Sequence, residues 1–484
     1  MDSEKQVPEL STTHYQLFAI TEHRPSGFPR LRGTMVAKHH ALFVIIIFIA
    51  LVVGGLAWVS YDGNFTTSRR DANQSSSLQL PTVVAATRRL SPLPVRPLSA
   101  KIKALRAQAA EDASVWRGLH WLDEPGMTEL SGWEYGTRTR EMAEVLGGDD
   151  LRTLGRLASA GGVLPEGLDL SMLAASFTAA SAGATYSPFD KQILFVTKSK
   201  PNDSLLTHEM THALQDQHFD LLRMLLVRPY SYDRTEAAFA VVEGDAVGVQ
   251  RRFETNAAWS RRSLDEITRA EDARFGEYRS TIGNLFPSLL VETFIFRYRD
   301  GTRFVEGVRR RRGQEGVDKL FREPPQSSEQ VLHIDKYFAG EQPQPTKFDA
   351  AKFTTTGWRA ATLTVFGEVG VRGMLMERLD AGESQRAAAG WGGDEAYLFE
   401  RDGGATLFVW TSVWDTQGDA AEFFRSYNRF LERRGFTANE NRSDDRVEWR
   451  ETDGRSTVVR RAGDRVLIVR GREETAKRAE MGAE

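Results

Sequence analysis

Apolar and polar positions are distributed unevenly from the start of the chain. Residues 41–59, ALFVIIIFIALVVGGLAWV, contain no charged side chain and just reach the length at which a helix spans a bilayer. Arg24, Arg30, Arg32 and Lys38 precede this run, whereas Arg69 and Arg70 follow it at a greater distance. That bias predicts a cytoplasmic tail over 1–40, one transmembrane helix over 41–60 and an extracytoplasmic body attached to the cell membrane. A cleaved signal peptide fits less well, because the polar stretch before the run is long and no small-x-small site follows. Residues 61–98, rich in Asn, Ser, Gln, Thr and Pro, read as a flexible tether.

Beyond the tether the pattern is that of a folded chain. Residues 99–180, rich in Ala, Leu, Arg and Glu with breaks at GMTELSG, LGGDD and AGGVLPEG, predict several short helices. Over 184–197 the texture becomes extended, with a turn at Ser187-Pro188-Phe189-Asp190 and an apolar strand at Ile193–Val196. Pro201-Asn202-Asp203-Ser204 supplies a helix cap, and LLTHEMTHALQDQHFDLLRMLL predicts one long helix after it. Further helices are predicted near 234–258, 262–282 and 285–298. Near 355 the pattern changes to alternation, as in ATLFVWTSV and STVVRRAGDRVLIVRG, with DAAEFFRSYNRFLERRG as a helix between strands. The expected architecture is α+β: a mainly helical domain over 99–354, a smaller α+β domain over 355–470 and a tail over 471–484. Trp391, Trp410 and Trp414 are expected in the core of the second domain.

Composition narrows the chemistry. The chain has 484 residues, a net charge of −3 and no cysteine. The near-neutral balance argues against a nucleic-acid partner, and the missing cysteines exclude thiolate ligands and thiol nucleophiles. Any metal must therefore be held by His, Asp and Glu. Of nine histidines, His208, His212 and His218 fall within eleven residues.

His208-Glu209-Met210-Thr211-His212 is an HExxH motif. On a helix, positions i and i+4 lie about 40° apart and one turn up, so both imidazoles face one ion. Glu209 stands to the side, where it can take a proton from a metal-activated water and return it to a leaving amine. The ion expected is Zn2+. A third ligand is needed, and the sequence offers rivals. Glu243, in AFAVVEGDAVG on the next helix, has mostly apolar neighbours, where an isolated carboxylate should be paired or metal-bound. Gly244 and Gly248, a turn apart, would let two helices approach closely. His218 sits at the third-histidine position of HExxHxxGxxH, but Gln215 replaces the glycine. In an unbroken helix His218 lies about 9 Å along the axis from His212 and points away. Glu243 is favoured over His218, with Glu236 a weaker choice. Asp245 is expected to face the opposite side of its helix, away from the metal.

The run LTHEMTHALQDQHFDL, together with AVVEGDAVG, resembles a family of extracytoplasmic neutral zinc metallopeptidases with a gluzincin-like core. PSLLVETFIFRYRDGTRFV (287–305), PPQSSEQVLHIDKYF (324–338), AAAGWGGDEAYLF (387–399) and ATYSPFDKQILFV are similar to stretches of that family, so the resemblance covers roughly 110–430. It implies a zincin-like core in which His208, His212 and Glu243 hold zinc and Glu209 is the base. One departure stands out: Ile334 follows His333 where the family would have proline.

A donor is also needed near the oxyanion that develops during hydrolysis. His333 is the first choice, ahead of Tyr337, Tyr186 and Tyr298, while His120 reads as a packing residue. The arginine run Arg309–Arg312 reads as a solvated helix end. The resulting expectation is a membrane-anchored zinc metallopeptidase acting on a protein or peptide substrate. A catalytically silent binding or scaffolding module and a hydrolase of non-peptide envelope bonds are the rivals.

Overall fold

In the computed structural model, the described residues run from 90 to 480, excepting 175–182, 197–201, 227–230, 284, 347, 355–356, 441, 473–474 and 477–478. The anchor expected at 41–59 and most of the tether lie outside them. Among the described residues no helix is long and apolar enough to cross a membrane. The last part of the tether is pinned: both arms of the Arg96 guanidinium donate to Glu134 at 2.7 Å, and Leu93 and Leu98 pack against buried clusters.

The first half is built on a small mixed sheet and a set of helices. Helix α1 (Ala100–Arg117) leads to β1 (Gly126–Leu130), α2 (Gly132–Ala160), β2 (Ala184–Ser187) and β3 (Gln192–Val196). The strand order is β1-β3-β2, with β1 parallel and β2 antiparallel to β3. The turn expected at 187–190 joins β2 to β3, with Lys191 at φ 56° closing it. The series of short helices expected over 99–180 is corrected here. GMTEL is a strand, because pairing Met127 with Ile193 and Leu130 with Val196 gives this short apolar segment a tertiary partner. LGGDD continues α2. Two mid-helix glycines cost about 1 kcal/mol each relative to alanine, but Leu154, Leu157 and Ala158 beyond them are fully buried.

Next come α3 (Asp203–Phe219), α4 (Tyr232–Glu254), α5 (Leu264–Ile282), α6 (Ser288–Ile295) and α7 (Gly301–Arg322). The helix expected to run unbroken through Leu226 ends at Asp220, which takes a left-handed conformation at φ 55°. Asp216 stabilises that break, its carboxylate accepting from the Leu221 N–H at 3.0 Å. In contrast, the helix expected to stop near 298 does not: Phe296–Asp300 form a π-helical turn that joins α6 to α7. Gly301 serves packing, since a Cβ there would lie 2.3 Å from the Ala240 carbonyl oxygen. The arginine run closes the first part of α7, before a kink at Gly313 (φ 67°), and Arg310, Arg311 and Arg312 are exposed as expected of a solvated helix end. Arg309 departs from that expectation, reaching the buried Asp245 at 2.9 Å.

The second half matches the expected α+β texture. A seven-stranded antiparallel sheet has the order β4-β5-β6-β10-β9-β8-β7. Its strands are Arg359–Thr364, Trp391–Arg401, Ala405–Trp414, Thr437–Ala438, Arg446–Arg450, Arg455–Ala462 and Arg465–Arg472, numbered β4 to β10 along the chain. Helices α8 (Gly367–Leu375) and α9 (Gln417–Arg433) cover it. Trp391, Trp410 and Trp414 are buried as expected. Asp394 ties the first two indoles to the start of α8, accepting from both ring N–H groups and from the Phe366 and Gly367 amides at 2.9–3.1 Å. Part of the expected tail also packs, with Ala476 and Ala479 buried beside Phe353 and Phe399.

The change at 355 is one of texture and not of core. A single apolar cluster joins Leu154 and Val241 of the helical part to Trp410 and Ile468 of the sheet. Where α4 and α7 cross, a Cβ on Gly244 would lie 2.3 Å from the Gly301 carbonyl carbon and oxygen. Gly244→Ala is therefore expected to reduce the free energy of unfolding by about 1–3 kcal/mol in urea titrations. A variant as stable as the parent would refute this account of the crossing.

Candidate metal centre

Helix α3 begins at Asn202, whose side chain accepts from the Leu205 N–H at 2.7 Å. Every residue from Leu206 to Asp216 is buried, because α3 runs between α1, the small sheet and α4. That burial forces any polar group on the helix to find a partner within the protein. His208 and His212 project from one face with their rings at 88° and centroids 4.7 Å apart, and α4 brings Glu243 opposite them.

The three donor atoms form a nearly regular triangle. His208 Nε2 and His212 Nε2 are 3.1 Å apart, and Glu243 Oε2 lies 3.4 and 3.3 Å from them. Ligands held tetrahedrally 2.0–2.1 Å from zinc would be separated by about 3.3 Å. Among the described residues, buried Glu243 Oε2 makes no hydrogen bond and is approached by the two imidazole nitrogens, as an atom with a lone pair directed at a cation between them would be. The side chains of His208, His212 and Glu243 keep 8, 10 and 16% of their surface exposed. These residues fit a divalent ion by number, donor type and spacing. A second convergence of carboxylates, Glu329, Glu341 and Asp415, is already filled by the Lys336 ammonium.

The surroundings explain the charge state. Burial alone would lower the His212 pKa, but Glu243 and Glu209 outweigh it and push it up to about 9. Burial likewise opposes ionisation of Glu243, yet the two imidazoles hold its carboxyl well below the ordinary range. With no cation bound, the centre is thus an imidazolium–carboxylate pair. The raised His212 pKa contributes stability that is complete below the ordinary imidazole pKa and lost as pH rises through about 9, while the lowered Glu243 pKa contributes stability that is complete above the ordinary carboxylate pKa and lost as pH falls below it. Burial pushes the Glu209 carboxyl up, with His208 and His212 pulling against it. That is the direction a general base at neutral pH requires. Glu209 Oε2 accepts from the Tyr186 N–H of edge strand β2 at 2.6 Å.

The expected residues divide clearly. His208, Glu209, His212 and Glu243 come together. His218 does not join them: it contacts the His120 carbonyl oxygen through Nε2 at 2.8 Å. Glu236 is clamped by Arg297 at 2.6 and 2.7 Å. His333, the first choice for an oxyanion donor, is held by Glu368 at 2.9 Å, because the break between two short helices turns its ring toward α8. Tyr186 gives its hydroxyl to Asp216 at 2.6 Å, and Tyr337 packs on Phe304 and Phe338. Of the four candidates, Tyr298 stands at the centre, stacked on His208 at 6.3 Å. Burial and the charges of Glu243 and Glu209 push its phenol far above the ordinary value, so it remains a proton donor.

Two residues have roles that spacing in the metal motif does not show. Gln215 stands where the HExxHxxGxxH pattern has glycine, yet its Oε1 lies 2.9 Å from His212 Nδ1. Asp245, expected to face away, accepts from Gln215 Nε2 at 3.1 Å and so touches the ligand's own support. The i+3 spacing of Gln215 from His212 was the available signal.

Residues 348–480 match a family described as a domain of unknown function (DUF8575). A similar solved structure is the crystal structure of "a putative hydrolase with a novel fold" from Chloroflexus aurantiacus. It is 14% identical, covers 54% of this chain and 98% of its own, and has a TM-score of 0.29. No curated protein matches the chain.

Two measurements check the centre. Glu243→Ala is expected to lower bound metal at least tenfold in equilibrium dialysis (about 1.4 kcal/mol or more), and His218→Ala to leave it unchanged. The reverse pattern would reassign the third ligand. Because the His212 pKa is about 9 without a cation, binding at pH 7 should displace about one proton. Calorimetry should then show a binding enthalpy that depends on the buffer's ionisation enthalpy, and an affinity that rises with pH to about 9. A buffer-independent enthalpy would contradict the protonated pair.

Proposed function

We propose that this chain is a zinc-dependent peptidase with a zincin-like core, anchored to the cell membrane by residues 41–59 with its body outside. The observation that carries the reading is the triangle of His208, His212 and Glu243 donors, with edges of 3.1–3.4 Å. A bound zinc supplies Lewis acidity and brings a water's pKa toward neutrality. The remaining work falls to the chain. Glu209, one residue along from a ligand, receives the proton of the attacking water and passes it to the departing amine. Its hydrogen bond from the Tyr186 N–H fixes one carboxylate oxygen, leaving Oε1 for this exchange. Tyr298 has its hydroxyl protonated and its ring stacked on His208, where it can donate to a carbonyl oxygen as that oxygen gains charge. The substrate class is a protein or peptide, since a base that returns a proton to a poor leaving group suits an amide.

The Glu209–Tyr186 bond is also the one feature that favours a second reading. A carboxylate tied to the sheet could serve structure alone, leaving a silent metal-binding scaffold. Kinetics on the zinc-loaded full chain in detergent, with a library of unstructured peptides, separates the two. Glu209→Gln keeps the side chain's size and its acceptor for Tyr186. It is expected to retain zinc and lose about 10²–10⁴-fold in turnover. Tyr298→Phe is expected to retain zinc and lose about 10²–10³-fold. If the parent cleaves nothing and binds zinc as tightly as both variants, the scaffold reading replaces the peptidase.

A further inference from the structure

His212 can ligate a metal through Nε2 only if its proton sits on Nδ1. Gln215, one turn further along α3, faces that nitrogen at 2.9 Å. A glutamine amide can present either its oxygen or its nitrogen, and the two choices impose opposite tautomers on the imidazole. Here the other end of the amide decides. Gln215 Nε2 lies 3.1 Å from the Val242 carbonyl oxygen and 3.1 Å from Asp245 Oδ2. Both are acceptors and neither can donate, so only the NH₂ group is tolerated on that side. The oxygen must therefore face His212.

Asp245 is itself fixed. It is fully buried, ion-paired with Arg117 of α1 and, at 2.9 Å, with Arg309 of α7. An ionised carboxylate clasped by two guanidinium groups has no proton to offer the amide. Among the described residues His208 has no counterpart to this arrangement, its Nδ1 being buried without a hydrogen-bond partner. Thus one ligand is oriented through a chain of hydrogen bonds and the other by packing and its stack on Tyr298.

We infer that Gln215 is a positioning residue whose amide, polarised in one direction by Asp245 and the Val242 carbonyl, fixes the tautomer and direction of the His212 ligand. The inference rests on the proposed zinc reading and concerns a residue that touches neither metal nor substrate. Loss of an outer partner of a ligating histidine typically weakens metal affinity about 10–100-fold.

The test is competition for zinc between the full chain in detergent and a chromophoric chelator, with cobalt(II) spectra of the same proteins. Gln215→Leu and Gln215→Met both fill the space without an oxygen acceptor, and neither sets a second carboxylate against Asp245. Each is expected to weaken zinc about 10–100-fold and to shift the cobalt d–d bands. If Gln215→Leu does not fold, Gln215→Met is read alone beside the parent. Unchanged affinity and unchanged bands in a folded variant would overturn the inference. A parent that binds no zinc would instead overturn the metal reading beneath it.

Discussion

Four helices of this protein meet at one buried carboxylate. Asp245 lies on α4 and receives Arg117 from α1, Gln215 from α3 and Arg309 from α7. A buried, unpaired carboxylate is strongly unfavourable, and so are two guanidinium groups withdrawn from water. Each helix therefore brings a charge or dipole that the others need, and displacing any of them leaves an uncompensated group behind. Burial alone would raise the Asp245 pKa, but Arg117 and Arg309 outweigh it and hold the carboxyl below its ordinary value. Such a cluster adds less net stability than its ion pairs suggest, because desolvation offsets much of the attraction. What it fixes is register: the turn of α4 that carries Asp245 also carries Glu243, two residues earlier.

That register is tightened by close packing on the other side. Gly244 lies between the two carboxylates and is where the α4 backbone meets Gly301. Gly301 follows directly on the π-helical turn of 296–300. A π turn inserts an extra residue into a helix and changes the direction of the side chains around it. Here Arg297 reaches α4, where it clamps Glu236, and Tyr298 reaches α3, where it stacks on His208. The approach at Gly301 and the irregular turn before it thus serve one end, which is to bring an aromatic hydroxyl to the imidazoles.

The parts of this site that could be read in the sequence are those governed by local spacing. His208 and His212 share a face because helical geometry requires it, Asn202 announces the start of α3, and Glu243 stands out as a carboxylate among apolar neighbours. The seven-stranded sheet was also legible in outline, since alternation in 405–413 and 456–471 marks strands directly. What was not legible depended on distant partners. GMTEL becomes a strand through β3, some sixty residues away, and the need for glycine at Gly301 comes from Ala240 pressed against it. Helical angle alone places Asp245 on the far side of α4 from Glu243, and it cannot reveal Gln215 reaching across to it. His333 attracted a role because histidines are few, and scarcity says nothing about which carboxylate a ring will meet.

The sheet half of the molecule bears on the candidate metal centre through the other end of α4. The Tyr232 N–H at the start of that helix donates to Thr364 Oγ1 at 3.2 Å, and the Asp233 N–H to the Val365 carbonyl at 3.2 Å. Asp233 in turn accepts from the Ser328 N–H at 2.9 Å, and a Cβ on Gly367 would overlap its carboxylate. Those contacts lie at the junction of β4 and α8, which Asp394 and two tryptophans hold rigid from beneath. Helix α4 is therefore clamped at its first turn by the C-terminal half and at its middle by Asp245 and Gly244, with Glu243 between. A carboxylate suspended between two fixed points has little freedom to swing, and that restraint keeps its oxygen directed at the imidazoles. The C-terminal α+β region is on this account part of the scaffold of the centre, and its burial of Trp391 and Trp410 contributes to where Glu243 stands.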